Sequence, residues 1–199
     1  MVDRTLMALS RARRVARSMD QDAKAVDEAL PALRALLDEA AISYRVVGGV
    51  AVVHHGYART TEDIDVLVGR DALEVLEPLL ASHGFERVRE TRLRHRASGV
   101  VVDLLVEGRT VPRPGAAPYP SPDALAPSPD DAGVVGLPGL VELKLRANRH
   151  QDRADVVALL KRLDDAHYLR LEAAVDRTLR PALARLRDDA LEELAGDGA

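Results

Sequence analysis

Two aspartates inside one apolar run, Asp63 and Asp65 of DIDVLV, are the side chains in this sequence best suited to chemistry. An ionised carboxylate in such a run must be paired or must hold a metal, because burying it alone is costly. In an extended strand residues two apart share a face, so both acids project together while Ile64 turns to the core. Asp103 repeats the anomaly inside VVVDLLV, residues 100–106. If the two strands are neighbours, three carboxylates converge. That cluster suits a hard divalent cation, Mg²⁺ or Mn²⁺, which takes oxygen ligands and keeps positions for substrate phosphates. A pair of such ions activates an attacking hydroxyl and neutralises a leaving pyrophosphate.

Gly48 and Gly49 supply the other half. They end a short strand, YRVVGG, and open VAVVHHG, a helical turn closed by Gly56. Without side chains, their N–H groups can approach phosphate oxygens closely. Metal-binding acids beside a phosphate-binding turn imply nucleoside triphosphate chemistry. His54 and His55 follow one another on that turn and read as structural or solvent-facing rather than as ligands.

The flanking elements must position these groups. Residues 5–18 read as a short basic helix, and residues 22–41 as a second with Val26, Leu30, Leu33 and Leu37 at helical spacing. Asp20 or Asp22 can cap the second helix, and Pro31 kinks it or begins a further segment. Residues 71–84 read as an amphipathic helix ending at Gly84. Around Glu90-Thr91 the alternation predicts a hairpin gathering Arg87, Arg89, Arg92, Arg94 and Arg96 on one face. That face is either the charged solvent side of an edge strand or a phosphate-contacting strip. The basic residues at 11–17 admit the same two readings, and docking to an acidic protein as a third. Residues 112–138 hold eight prolines and read as an ordered excursion or a flexible linker. Helix returns from 137, with Asn148 and Gln151 as a capping pair between two segments. The last 30 residues form one or two more helices, broken at Pro181.

The expected fold is therefore α/β: a small mixed sheet with helices on one side, followed by a helical part that closes the cleft. Its divisions are helices at 1–41, a catalytic core at 42–111, a proline-rich segment at 112–136 and the helical region at 137–199.

Composition narrows the classes. With 47% hydrophobic and 30% charged residues, the 199-residue chain reads as a soluble globular protein of one domain, or one domain with a helical appendage. One Phe, four Tyr and no Trp give few platforms for stacking single-stranded nucleic acid. Absence of cysteine excludes disulfides and zinc-thiolate sites and points to a reducing, cytoplasmic setting. No apolar run approaches the ~20 residues that span a bilayer, and the arginine-rich start lacks the apolar stretch of a secretory signal. A net charge of −4 excludes bulk polyanion binding. Arginines number 25 against 3 lysines, which draws the eye to Lys144.

G-G, thirteen residues, D-I-D in a strand and a single Asp in a later strand together resemble the DNA polymerase beta-type nucleotidyltransferase superfamily. Within it, GGVAVVHHGYARTTEDIDVLV and KLRANRHQDRADVVALL are similar to minimal bacterial nucleotidyltransferases that include AbiEii-like toxins. The resemblance covers about residues 44–107 and 137–163. It implies transfer of a nucleoside monophosphate from an NTP to an acceptor hydroxyl with Mg²⁺ or Mn²⁺. The acceptor would be a tRNA 3′ end or a protein side chain, and a toxin would have an antitoxin protein as partner. A small molecule such as an antibiotic is the alternative acceptor, and a non-catalytic nucleotide- or partner-binding module the alternative class. In the resemblance Asp63, Asp65 and Asp103 hold metal, and Asp103 takes the acceptor proton. Gly48 and Gly49 seat the triphosphate, and Arg59 and Thr61 touch phosphate oxygens. Lys144 reaches the triphosphate or base, oriented, like Arg149, by Asp152 and Asp155. Two positions depart from the commonest pattern: Gly49, where Ser often stands, and Gln151, where Lys often precedes the first acid of the distal motif.

Overall fold

A computed structural model describes residues 4–110 and 117–197. It shows a mixed α/β architecture, a five-stranded sheet with seven α-helices among the described residues. The strands are β1 (Tyr44–Val46), β2 (Asp63–Val68), β3 (Phe85–Arg89), β4 (Arg92–His95) and β5 (Val101–Val106). Their order across the sheet is β1-β2-β5-β4-β3, with β2 and β5 parallel and the other neighbours antiparallel. The parallel pair is central, as its dense apolar runs require. Ile64, Val66, Val68, Val102 and Leu104 are all buried.

The N-terminal reading needs correcting. Instead of two helices, a single α1 runs Arg4–Glu39 and passes through Pro31. Pro31 is exposed, as is Asp27, whose carbonyl loses its helical donor to the proline. A helix-interior proline costs about 3 kcal/mol. Fully burying one leucine returns about 1.5–3 kcal/mol, and α1 buries Leu33, Leu36 and Leu37 completely. Packing therefore overrides the break, and neither Asp20 nor Asp22 caps a helix start. Side chains at 11–17 lie outside the described residues.

The seven-residue α2 (Gly48–His54) follows β1 directly. A short α3 (Ala72–Leu76) continues into a 3-10 turn at Glu77–Leu79. The proline-rich segment is ordered where it is described, over 117–136. Val134 and Val135 are buried, and Val46 exchanges backbone hydrogen bonds with Gly133 and Val135. The last residue of α2 and the one after it hold this return in place: His54 meets the Ser128 hydroxyl, and His55 meets the Val135 carbonyl, each at 2.8 Å.

Four helices complete the chain: α4 (Leu137–Ala147), α5 (His150–Leu160), α6 (Asp165–Ala174) and α7 (Arg180–Asp197). Asn148 is not a cap for α5. It closes α4 in the left-handed conformation at φ +50°, which moves the α5 cap to Arg149, whose N–H donates to Asp152. Pro181 likewise opens α7 rather than breaking it, the position where a missing N–H is tolerated. Alternate sides of α4 serve two cores: Leu140 packs with the sheet, and Val141 with Val156, Leu160, Leu171 and Leu183 of the helical part. No helix among the described residues is long and apolar enough to cross a membrane.

Candidate functional site

β2 and β5 are parallel neighbours, and their register sets Asp65 directly opposite Asp103. Asp63 lies two residues before Asp65 on the same face, so three carboxylates share one patch of sheet. Only the strand pairing makes them neighbours, 38 residues apart in the chain. Burial, then the Asp63 and Asp103 charges, push the Asp65 carboxyl up to about 6. Like charges held this close disfavour ionisation of the most enclosed member.

Gly48 fits against that carboxylate. Its φ is +60°, and a Cβ placed there would lie 1.8 Å from Asp65 Oδ2. A neighbouring hydrogen bond, Val47 N–H to the Asp65 carbonyl at 2.9 Å, ties the turn to β2. Gly49 is equally enclosed: a Cβ there would lie 2.5 Å from Thr61 Oγ1 and 3.2 Å from Arg59 Nη2. Thr61 donates to the Asp63 carbonyl at 3.0 Å, which fixes the approach to β2.

The expected strip of arginines divides. Arg92 pairs with Asp103 in register and donates to both its oxygens, Nε at 2.6 Å and Nη2 at 2.8 Å. Those bonds hold the Arg92 guanidinium above its usual pKa. Arg94 shares that face, two residues on, but pairs with Glu86. Arg87 instead shares a face with Leu93, and it reaches Glu77 and the Leu73 carbonyl on the other side of the sheet. A bulge between Arg87 and Arg89 breaks the alternation that would have gathered them.

A second charged group faces the carboxylates from α4 and α5. Lys144 Nζ donates to Asp155 at 2.7 Å and to Asp152 at 3.3 Å. All three are buried, Asp155 completely. Arg149 donates to Asp152 through Nε and Nη2, Gln151 donates to Asp155, and Arg59 Nη1 donates to both Asp155 oxygens. Burial alone would raise both carboxyls; the Arg149 bonds at Asp152 and the Lys144 bond at Asp155 prevail and hold them below the usual carboxylate range. Three cations thus surround two acids, a net positive wall. Arg59, expected at the phosphates, is anchored in this wall, and Gln151 completes it where a lysine was the commoner residue.

A cavity of about 300 Å³ opens between wall and sheet, bounded by Gly48, Asp65, Lys144, Arg149, Asp152 and Tyr119. Five of these, all but Tyr119, are residues singled out from sequence. Asp63, Asp103, Gly49, Arg59 and Thr61 are not among the residues that line it. No protein-family model matches this chain, and a search of curated proteins finds no match.

Among the described residues, no set of three or more histidine, aspartate or glutamate side chains stands ready to hold a metal ion. Arg92 already donates to both oxygens of Asp103. Each carboxylate oxygen keeps a further lone pair, so a hard cation at this patch would take Asp63 and Asp65, with Asp103 shared with Arg92. The mutual repulsion felt at Asp65 is what such a cation relieves.

Two participants escaped the sequence reading. Arg92 was one of five equivalent arginines until strand register selected it. Tyr119 lies in the proline-rich segment that no motif covered; its only signal was being one of four tyrosines in an aromatic-poor chain.

Proposed function

We propose that this protein is a nucleotidyltransferase that moves a nucleoside monophosphate from an NTP to an acceptor hydroxyl. The observation that supports it is the alignment of Asp65 with Asp103 beside Asp63, closed on one side by the Gly48 turn. Mg²⁺ or Mn²⁺ held by Asp63 and Asp65, with Asp103, would neutralise phosphate charge and acidify the attacking hydroxyl. The acceptor oxygen bonds to the α-phosphorus, the bond to the pyrophosphate oxygen breaks, and the acceptor proton passes to Asp103. Arg92 orients Asp103 for that proton by donating to both of its oxygens. Gly48 lets phosphate approach the backbone, and the Lys144–Arg149 wall offsets the triphosphate charge. The acceptor class is RNA, such as a tRNA 3′ end, or a protein, as in a toxin held in check by an antitoxin.

A second reading, a nucleotide- or partner-binding module without turnover, draws on the Arg92 hold on Asp103. One experiment separates them: incubation with Mg²⁺, each α-labelled NTP, total RNA and cell extract, with Asp65→Ala as control. The proposal expects label on RNA, protein or a small molecule, lost in the variant. Equal labelling by both proteins overturns the assignment of the carboxylates. Metal-dependent NTP binding with no labelled product supports the silent module.

A further inference from the structure

Two faces of α5 look onto different surroundings. Asp152 and Asp155 lie on the side toward α4, where they hold Lys144 and Arg149. On the opposite side His150, Arg153, Ala154, Val157, Ala158 and Lys161 recur at helical spacing and form one wall of an open groove of about 840 Å³. Leu186, Asp189 and Glu193 of α7 form the other wall. Val157 and Leu186 belong to the helical core and make an apolar floor, while Ala154 and Ala158 leave the space above it unfilled. Charge is sorted by wall. Arg153, Lys161 and Arg162 stand on the α5 side, and α7 contributes only acids. Lys161 and Glu193 pair across the groove. The other charges are unmatched: Arg153 reaches only the His150 ring, and among the described residues no acid pairs with Arg162 and no base with Asp189.

We propose that this groove docks a single amphipathic helix of a partner protein. That helix lays apolar side chains on Val157 and Leu186, turns carboxylates toward Arg153 and Arg162, and turns a basic residue toward Asp189. The proposal is independent of the nucleotidyltransferase reading. The groove and the cavity beside Asp65 use opposite faces of α5 and share no lining residue, so an occupant leaves that cavity open. Length, charge and shape carry the proposal. From His150 to Arg162 the basic wall rises about 18 Å at 1.5 Å per residue, which accommodates roughly three turns of helix. A helix seats in such a groove through apolar residues at i, i+3 or i+4, and i+7. Walls of opposite sign select an occupant with matching flanks, because like charges brought together across an interface suppress binding. Asp189 and Glu193 oppose a phosphate backbone laid along the arginines. A concave surface is not filled by its own copy on a second chain, whereas a projecting helix fills it.

Fluorescence anisotropy with the full chain and three labelled synthetic helices tests this. All three share one leucine stripe at i, i+4, i+7 and i+11. Their flanks carry glutamate on one side and lysine on the other, glutamate on both, or lysine on both. Wild type is expected to bind the mixed helix about tenfold tighter than either of the others at low salt, a preference that shrinks as salt screens it. Arg153→Glu with Arg162→Glu makes both walls acidic and should move the preference to the all-lysine helix. Asp189→Lys should move it to the all-glutamate helix. Ala158→Trp fills the groove and should weaken the mixed helix about tenfold. Ala154→Trp, at an exposed position, decides the matter if Ala158→Trp unfolds. Equal binding of the three helices by wild type overturns the proposal, as does a preference that stays put in the charge-reversed variants or unchanged binding in both tryptophan variants. A short RNA that binds wild type and is lost in Arg153→Glu with Arg162→Glu, while no helix binds, gives the wall to nucleic acid and overturns it too. So does a dimer of the chain alone in sedimentation that Ala158→Trp dissociates, which gives the groove to a second copy.

Discussion

Arg92 stands directly opposite Asp103 across β4 and β5 and takes both of its carboxylate oxygens. Opposite Asp103 on its other side stands Asp65. One acid is thus flanked by a cation and by a like charge, and Arg92 offsets one of the three negative charges on the patch. Arg92→Ala should leave that patch more negative. Mn²⁺ binding followed by calorimetry is expected to tighten about three- to tenfold, while labelling of the acceptor falls. Arg92→Lys, which keeps the charge and loses the fork, should lie between. Unchanged Mn²⁺ affinity in Arg92→Ala would separate Arg92 from the metal-binding function.

The raised carboxyl at Asp65 makes stability fall as pH rises. In the unfolded chain Asp65 ionises near 3.8, and in the fold near 6. Between those values the unfolded state binds fewer protons, so folding loses stability with increasing pH and the loss is complete above about 6. The size is on the order of 2–3 kcal/mol. Asp65→Asn should flatten that part of the pH profile, melt higher than wild type at pH 7 without metal, and lose the stabilisation that added Mn²⁺ gives wild type. Thermal melts between pH 4 and 7 measure all three.

Lys144 neutralises two buried acids, and its removal strands them. Lys144→Met is expected to cost about 3–5 kcal/mol, the range for breaking a buried ion pair from one side. Urea denaturation measures the loss. Adding Asp155→Asn to Lys144→Met should recover part of it, whereas additivity would show that the two do not act as a pair.

Gly48 and Gly49 separate conformation from contact. Gly48→Ala adds a Cβ that overlaps the Asp65 carboxylate at a left-handed φ. It should lose labelling and Mn²⁺ binding together, and about 1–3 kcal/mol of stability. Gly49→Ser introduces the residue commonest in the superfamily that the sequence resembles, yet here its Cβ would meet Thr61 Oγ1 at 2.5 Å. Gly49→Ser alone should reduce activity, and Gly49→Ser with Thr61→Gly should restore part of it. Equal activity of Gly49→Ser and wild type would show that Thr61 yields freely.

Local pattern was enough to read some of this chain. The two-residue period of DIDVLV and the apolar density of VVVDLLV announced two inner strands and put Asp63 and Asp65 on one face, because side-chain direction alternates along any strand. The glycine turn and the helical return after residue 137 were legible for similar reasons. What sequence could not carry was partnership. Three buried leucines keep α1 continuous through Pro31, which local propensity reads as a break. Asn148 reads as a cap until the left-handed turn at that residue passes the role to Arg149. Register chose Arg92 from five arginines as the partner of Asp103, and a loop without a motif brought Tyr119 to Asp65. Lys144, Asp155 and Arg59 were each visible alone, but the ion pairs that join them depend on α5 docking against the 57–61 loop. The sequence by itself determined which residues lie on which face of their own strand or helix, a matter of backbone geometry. Tertiary structure alone decided which faces meet, because that depends on packing and register between segments far apart in the chain.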